Sequence, residues 1–254
     1  MKKTRRFVVI ILLLFASLGA AFLFFRIRYT EQELIIRSMD REIYGHLFRP
    51  RFAGMKYPLV VLGHGYGGSY SDNLDYGRYF AEHGIACYVF DFCGGSEDSR
   101  SSAVDMSVYT EIEDMNGIVD HMLQQSFLKE GGLFLAGKSL GGSVAALTAS
   151  KRPDDVGGLI LHYPFFVISE AFGGDGSTYI VEDAFNVITR FHGPVLIFNG
   201  DEDKYVPLKY TKEAAEAYDN AEIIVMEGSG HGFKGAARLK VKEKMVEFIR
   251  ENER

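Results

Sequence analysis

Continuous apolar runs that alternate with helix-forming stretches constrain the fold of this chain more than any other feature. The runs are Pro58-Leu59-Val60-Val61-Leu62, Ile85 to Cys93, Leu133 to Gly137, Gly158 to Tyr163, Pro194 to Asn199, and Glu222 to Met226. Helical stretches read over Asp72–Glu82, Tyr109–Gln125, 140–150, 208–218 and 236–250. A strand that is apolar at every position is buried on both faces, so the pattern predicts a mostly parallel sheet with helices on both sides. Ahead of it, Leu34–Arg37 and Ile43–Phe48 flank Met39-Asp40-Arg41 as a hairpin. The stretch 164–193 breaks the rhythm and, with Gly173-Gly174-Asp175-Gly176-Ser177 inside it, reads as a short cap insertion at the rim of the sheet. The length of 254 residues suits one large domain or two small ones.

The run at 133–137 leads directly into Gly137-Lys138-Ser139-Leu140-Gly141-Gly142. A buried strand, then Gly-x-Ser-x-Gly, then a helix is the pattern of a nucleophile elbow, in which a sharp turn pushes the serine hydroxyl into the open. The flanking Gly137 and Gly141 let neighbouring backbone pass without a Cβ. The same segment competes as a phosphate-binding loop, because Gly132 to Ser139 spells Gly-x-x-x-x-Gly-Lys-Ser. That loop would need a strand before Gly132 and an open loop after it. Here Ile118–Gln125 reads as helix and Leu133–Ala136 as buried strand. The elbow is the better reading.

A serine hydroxyl needs a base, and the base needs an orienting acid. In elbow-type enzymes these follow along the chain as serine, acid, histidine. After the strand ending at Asn199-Gly200 stands Asp201-Glu202-Asp203, and after the strand at 222–226 stands Gly228-Ser229-Gly230-His231-Gly232. Both lie past strand C-termini, on the edge where Ser139 sits. Asp203 is taken as the acid, with Asp201 capping the turn and Glu202 facing solvent. A developing oxyanion needs N–H donors, and His64-Gly65-Tyr66-Gly67-Gly68 follows the first parallel strand. The backbone N–H groups of Tyr66 and Leu140 are the candidate donors, with His64 and Gly65 shaping the loop. His46, His83, His121 and His192 show no partner pattern. No spacing resembles a metal site, and no cofactor is expected.

The first 30 residues differ in kind. Lys2, Lys3, Arg5 and Arg6 precede an uncharged run of nineteen residues, Phe7 to Phe25, followed by Arg26 and Arg28. As a helix that run spans about 28 Å, close to the hydrocarbon thickness of a bilayer. The sequence thus predicts one N-terminal membrane-spanning helix in residues 1–30, with the domain 31–254 outside the cytoplasm. Cleavage of the segment as a signal peptide, giving a secreted enzyme, is the alternative. The segment holds six of the 28 basic residues and none of the 34 acidic ones, which leaves the domain at a formal net charge of −12. That excludes nucleic acid as an expected partner, as well as membrane adhesion by overall charge. Cys87 and Cys93 fall in one predicted strand, about 20 Å apart, too far for a disulfide. They read as packed thiols.

Together these motifs resemble the α/β-hydrolase fold over residues 34–252. The carrying residues are the His64–Gly68 loop, Phe90-Asp91-Phe92-Cys93-Gly94-Gly95-Ser96, Glu111-Ile112-Glu113-Asp114, the elbow, Gly200–Asp203 with Val206-Pro207, and Gly230-His231-Gly232-Phe233. Within that fold the chain is similar to serine esterases of the feruloyl or cinnamoyl esterase and monoacylglycerol lipase-like kind. The resemblance implies cleavage of a small-molecule carboxylic ester through an acyl-enzyme on Ser139, His231 and Asp203. Peptidases and thioesterases share this machinery, and a membrane-tethered binding protein could keep the fold without turnover.

Overall fold

The computed structural model describes residues 29–51, 54–95, 99–166 and 184–253. The predicted membrane-spanning run 7–25 and most of the predicted cap lie outside the described residues. Among the described residues no helix is long and apolar enough to cross a membrane.

Eight strands form one sheet: β1 (Tyr29–Ser38), β2 (Arg41–Pro50), β3 (Tyr57–Gly63), β4 (Ala86–Phe90), β5 (Leu128–Lys138), β6 (Gly158–His162), β7 (Val195–Gly200) and β8 (Ala221–Met226). Their order is β1-β2-β4-β3-β5-β6-β7-β8. From β4 to β8 every neighbouring pair is parallel, whereas β1–β2 and β2–β4 pair antiparallel. The helices are α1 (Leu74–Glu82), α2 (Val108–Leu123), α3 (Leu140–Lys151), α4 (Ala184–Ile188), α5 (Leu208–Ala217) and α6 (Gly235–Asn252). β3, β4, β6 and β7 are buried along their whole length, as their uninterrupted apolar sequences require.

The strand order also decides where a site can form. From β3 the chain steps to β4 on one side, then reverses to β5 on the other. Crossovers are right-handed, so the reversal puts α1 on one face and α2 and α3 on the opposite one. α6 packs back against α1, and α2 against α3. The loops leaving β3 and β5 therefore diverge at a topological switch point, where a crevice opens beyond the strand C-termini.

The run from Ile85 to Cys93 is not one strand. β4 stops at Phe90 because side chains take over the backbone groups beyond it. The Phe92 N–H donates to His64 Nε2 at 3.1 Å, and the Cys93 N–H donates to Asp114 Oδ2 at 2.8 Å. The Asp91 carboxylate accepts the N–H groups of Tyr70 and Arg100 at 2.7 and 3.2 Å. Both cysteines are buried free thiols, and burial raises the Cys93 pKa to about 12. The histidines set aside for lack of a pattern do find partners. His46 stacks on Tyr70 with ring centroids 4.8 Å apart and meets Glu31 at 3.0 Å, while His192 meets Asp219 at 2.7 Å. These contacts join residues that lie far apart in sequence.

Beneath this loop lies an acidic core. Glu111 on α2 is 2% exposed, its Oε2 has no hydrogen-bond partner, and burial, with Asp114 nearby, raises its pKa to about 8. Burial also raises Asp114, against the opposing pull of the Cys93 N–H and the Arg41 guanidinium. Between the ordinary 4.5 and about 8, folded Glu111 keeps a proton that the unfolded chain releases, so this group lowers stability as pH rises. Glu111→Gln is expected to raise stability above that window by on the order of a few kcal/mol, and to raise it little near pH 4.5. Denaturant melts at both ends of the window test this. Equal shifts at both would show that shape, not charge, is responsible.

Candidate active site

Ser139 joins β5 to α3 with φ 51° and ψ −119°, a left-handed conformation that is strained for a residue with a Cβ. The surroundings hold it there. Its N–H donates to the His162 carbonyl at 2.9 Å, and its own carbonyl accepts the N–H groups of Gly142, Ser143 and Phe165 at 2.9, 3.2 and 3.2 Å. The two flanking glycines are required by close approach. A Cβ on Gly137 would lie 2.1 Å from the Gly141 carbonyl oxygen, and one on Gly141 would lie 2.2 Å from that of His64. Gly132 to Lys138 are strand residues of β5, so this segment forms no phosphate-cradling loop.

Three side chains from three loops converge here. His231 Nε2 lies 3.2 Å from Ser139 Oγ, and His231 Nδ1 lies 2.8 Å from Asp203 Oδ2. An ionised carboxylate can only accept, so Nδ1 carries the proton and Nε2 is left to accept from the serine. The Asp203 side chain is fully buried and that of His231 is 23% exposed. Asp203 Oδ1 accepts the N–H groups of Tyr205 and Val206, both at 2.9 Å, which fixes the carboxylate plane. Asp201 instead accepts the Gly228 N–H at 2.7 Å, and the Glu202 N–H donates to the Ser229 carbonyl at 3.0 Å. These two residues bolt the acid loop to the histidine loop. The His231 ring is flanked by Tyr163 and Tyr205, with centroids 4.5 and 5.3 Å away.

The loop after β3 approaches the serine closely. A Cβ on Gly65 would sit 3.3 Å from Ser139 Cβ. The loop is closed by the Gly68 N–H on the Gly65 carbonyl at 3.0 Å, with Gly67 at φ +65°. His64 lies beneath it, donating from Nδ1 to the Gly65 carbonyl at 2.7 Å and accepting the Phe92 N–H on Nε2. Burial lowers its pKa, which keeps the ring neutral and suits this one-donor, one-acceptor role. Tyr66 is exposed at the tip. Leu140 opens α3, so its N–H has no acceptor within the helix and lies at the positive end of the helix dipole.

Several supporting residues carry no sequence signal. Lys138 is one: its Nζ donates to the Asp72 carbonyl at 3.1 Å and stands 4.5 Å from the Tyr76 ring centroid. Arg238 of α6 donates to the same carbonyl at 2.7 Å and is paired with Asp75. Lys138 thus ties the elbow to the far end of the loop that begins at His64. Asn199 is another, holding the Val206 carbonyl at 3.1 Å while accepting from Thr211 Oγ1 at 3.0 Å. Burial, reinforced by Arg238, lowers the Lys138 pKa to about 7 from the ordinary 10.5. Between those values the unfolded chain binds the extra proton, so this group adds stability as pH rises. Lys138→Met is expected to flatten that part of the stability curve, which denaturant midpoints across the window would read. An unchanged slope would reject this origin.

The strand order and the arrangement of this crevice are those of the α/β-hydrolase fold. Two family models match the chain: serine aminopeptidase S33 over residues 56–178 and TAP-like protein over 182–254. Similar solved structures include Est1E from Butyrivibrio proteoclasticus with ferulic acid bound. It is 21% identical with a TM-score of 0.75, over 86% of this chain and 98% of that one. A monoacylglycerol lipase from Paleococcus ferrophilus is 18% identical with a TM-score of 0.66, over 83% and 99%. Among curated proteins, protein phosphatase methylesterase 1 of Candida albicans is 27% identical over 137 residues, 53% of this chain. The matched part is 37% of that relative's length.

Proposed function

We propose that this protein is a serine hydrolase that cleaves small carboxylic esters through a covalent acyl-enzyme. The observation that carries this is the continuous line Asp203–His231–Ser139, at 2.8 and 3.2 Å, beside a glycine loop and a helix N-terminus. Ser139 Oγ attacks the ester carbonyl while its proton passes to His231 Nε2. Asp203 holds the imidazole and stabilises the imidazolium. The Tyr66 and Leu140 N–H groups receive the oxyanion, each contributing on the order of 3 kcal/mol to transition-state stabilisation. Collapse breaks the C–O bond, and the alcohol leaves with the proton from His231. Water then repeats the sequence on the acyl-enzyme and releases the acid.

Ester relatives such as the ferulic acid-bound protein and the lipase support an oxo-ester substrate. The serine aminopeptidase model over residues 56–178 favours a second reading, amide cleavage by the same residues. A series of p-nitrophenyl esters of rising chain length, with a feruloyl ester and aminoacyl amides, separates the two. The expected result is turnover of one or more oxo-esters and none of the amides; the reverse would overturn the ester reading. The basic-flanked run 7–25 is proposed to anchor the domain outside the cytoplasm. The intact mass of the membrane-bound protein checks this, because a mature chain lacking that run would mean secretion.

A further inference from the structure

The end of the sheet opposite the catalytic crevice carries a second cavity. It is an open pocket of about 510 Å³ at the start of β3 and the end of β2, lined by Arg49, Arg51 and Lys56 over the Tyr57 and Phe127 rings. Among the described residues no acidic side chain lines it, although acids outnumber bases in this domain. The Arg49 guanidinium lies 5.2 Å from the Phe127 ring centroid, and its Nε is buried with no hydrogen-bond partner. Three cations on an aromatic floor fit an anionic oxygen group joined to an apolar body.

The position of the pocket says which anion. Thr30 lines it, and its hydroxyl donates to the Arg49 carbonyl at 3.5 Å. Thr30 lies two residues past Arg28, in the sequence that follows the apolar run 7–25. A chain leaving a bilayer after that run would bring this pocket to the headgroup layer before any other part of the domain. The catalytic loops, at the strand C-termini, would face away.

We propose that this pocket seats the phosphate headgroup of an anionic phospholipid and docks the base of the domain on the membrane. The proposal rests on residues 7–25 acting as an anchor, and goes beyond the ester-hydrolase reading. It is compatible with a net charge of −12, because headgroup contact is local and the field of the remaining surface is screened within about 10 Å. Each cation at the membrane surface is expected to contribute about fivefold to docking.

The test uses the full chain in vesicles of phosphatidylcholine, with or without about 30 mol% phosphatidylglycerol. Backbone hydrogen exchange over residues 49–57 is the readout. Exchange is expected to slow only when phosphatidylglycerol is present, and Arg49→Gln with Lys56→Gln is expected to weaken that protection about 25-fold. Equal exchange in both vesicles would overturn the proposal. Equal protection from inorganic phosphate on phosphatidylcholine vesicles would also overturn it, by showing a site for free anions. A chain that stays in solution with either vesicle would remove the anchor and the docking together. The double variant should hydrolyse a soluble ester at the wild-type rate, which separates lost docking from lost folding. Failure of wild-type ester hydrolysis would reject the proposed activity while leaving the exchange result standing.

Discussion

Ser139→Ala is expected to lose on the order of 10⁴–10⁶-fold in kcat for ester hydrolysis while keeping its fold. The substitution removes the attacking oxygen, and among the described residues Ser139 Oγ is the one that meets the end of the Asp203–His231 line. Its structural cost should be small. Among the described residues the Ser139 side chain bonds to His231 alone, and the positive φ is held by backbone bonds to His162, Gly142, Ser143 and Phe165 that alanine retains. Initial rates on a p-nitrophenyl ester, together with labelling by a serine-directed fluorophosphonate, read the effect. Near-normal hydrolysis by the alanine variant, or labelling that survives it, would remove Ser139 from the mechanism.

The second large effect is expected at Asp203. Asp203→Asn should lower kcat by about 10⁴-fold, through the tautomer of His231. Tyr205 and Val206 donate to Oδ1, so the asparagine oxygen stays on that side and its NH₂ faces His231 Nδ1. Two donors cannot share that contact. The imidazole must then carry its proton on Nε2, where it cannot accept from Ser139. Asp201→Asn provides the comparison: its oxygen can still accept the Gly228 N–H, and activity should stay within about tenfold of wild type. If Asp201→Asn were instead the more damaging change, the choice of acid would be wrong. Rates for both variants over a range of pH decide it. A deficit that stays constant as pH rises would point to the tautomer as the cause, because the ratio of the two neutral tautomers does not change with pH.

Much of this was legible in the chain. Unbroken apolar runs require two covered faces, so the parallel sheet could be read from β3, β4, β6 and β7 directly. Ser139, Asp203 and His231 each follow a strand C-terminus, and strand ends are visible where an apolar run meets glycines and acids. The limits of the reading have one cause. Ile85 to Cys93 is apolar enough to continue as strand, yet it stops at Phe90 because His64 and Asp114 take the next N–H groups from 28 and 21 residues away. Lys138 has no local pattern because its partner carbonyl, Asp72, lies 66 residues off and is shared with Arg238. Asn199 looks like the last residue of a strand, and only the packed structure shows it gripping the loop that carries Asp203.

The sequence by itself determined what is periodic or local: the sheet, the covering helices, the elbow with its two glycines, and the order serine, acid, histidine. These follow from burial, backbone sterics and short spacings, which act between near neighbours in the chain. The tertiary structure alone decided what Lys138, His64 and Asn199 hold, and that three scattered cations share one pocket at the far end of the sheet. Those outcomes depend on hydrogen bonds and charges acting over a few ångströms between segments that the fold, not the chain, brings together.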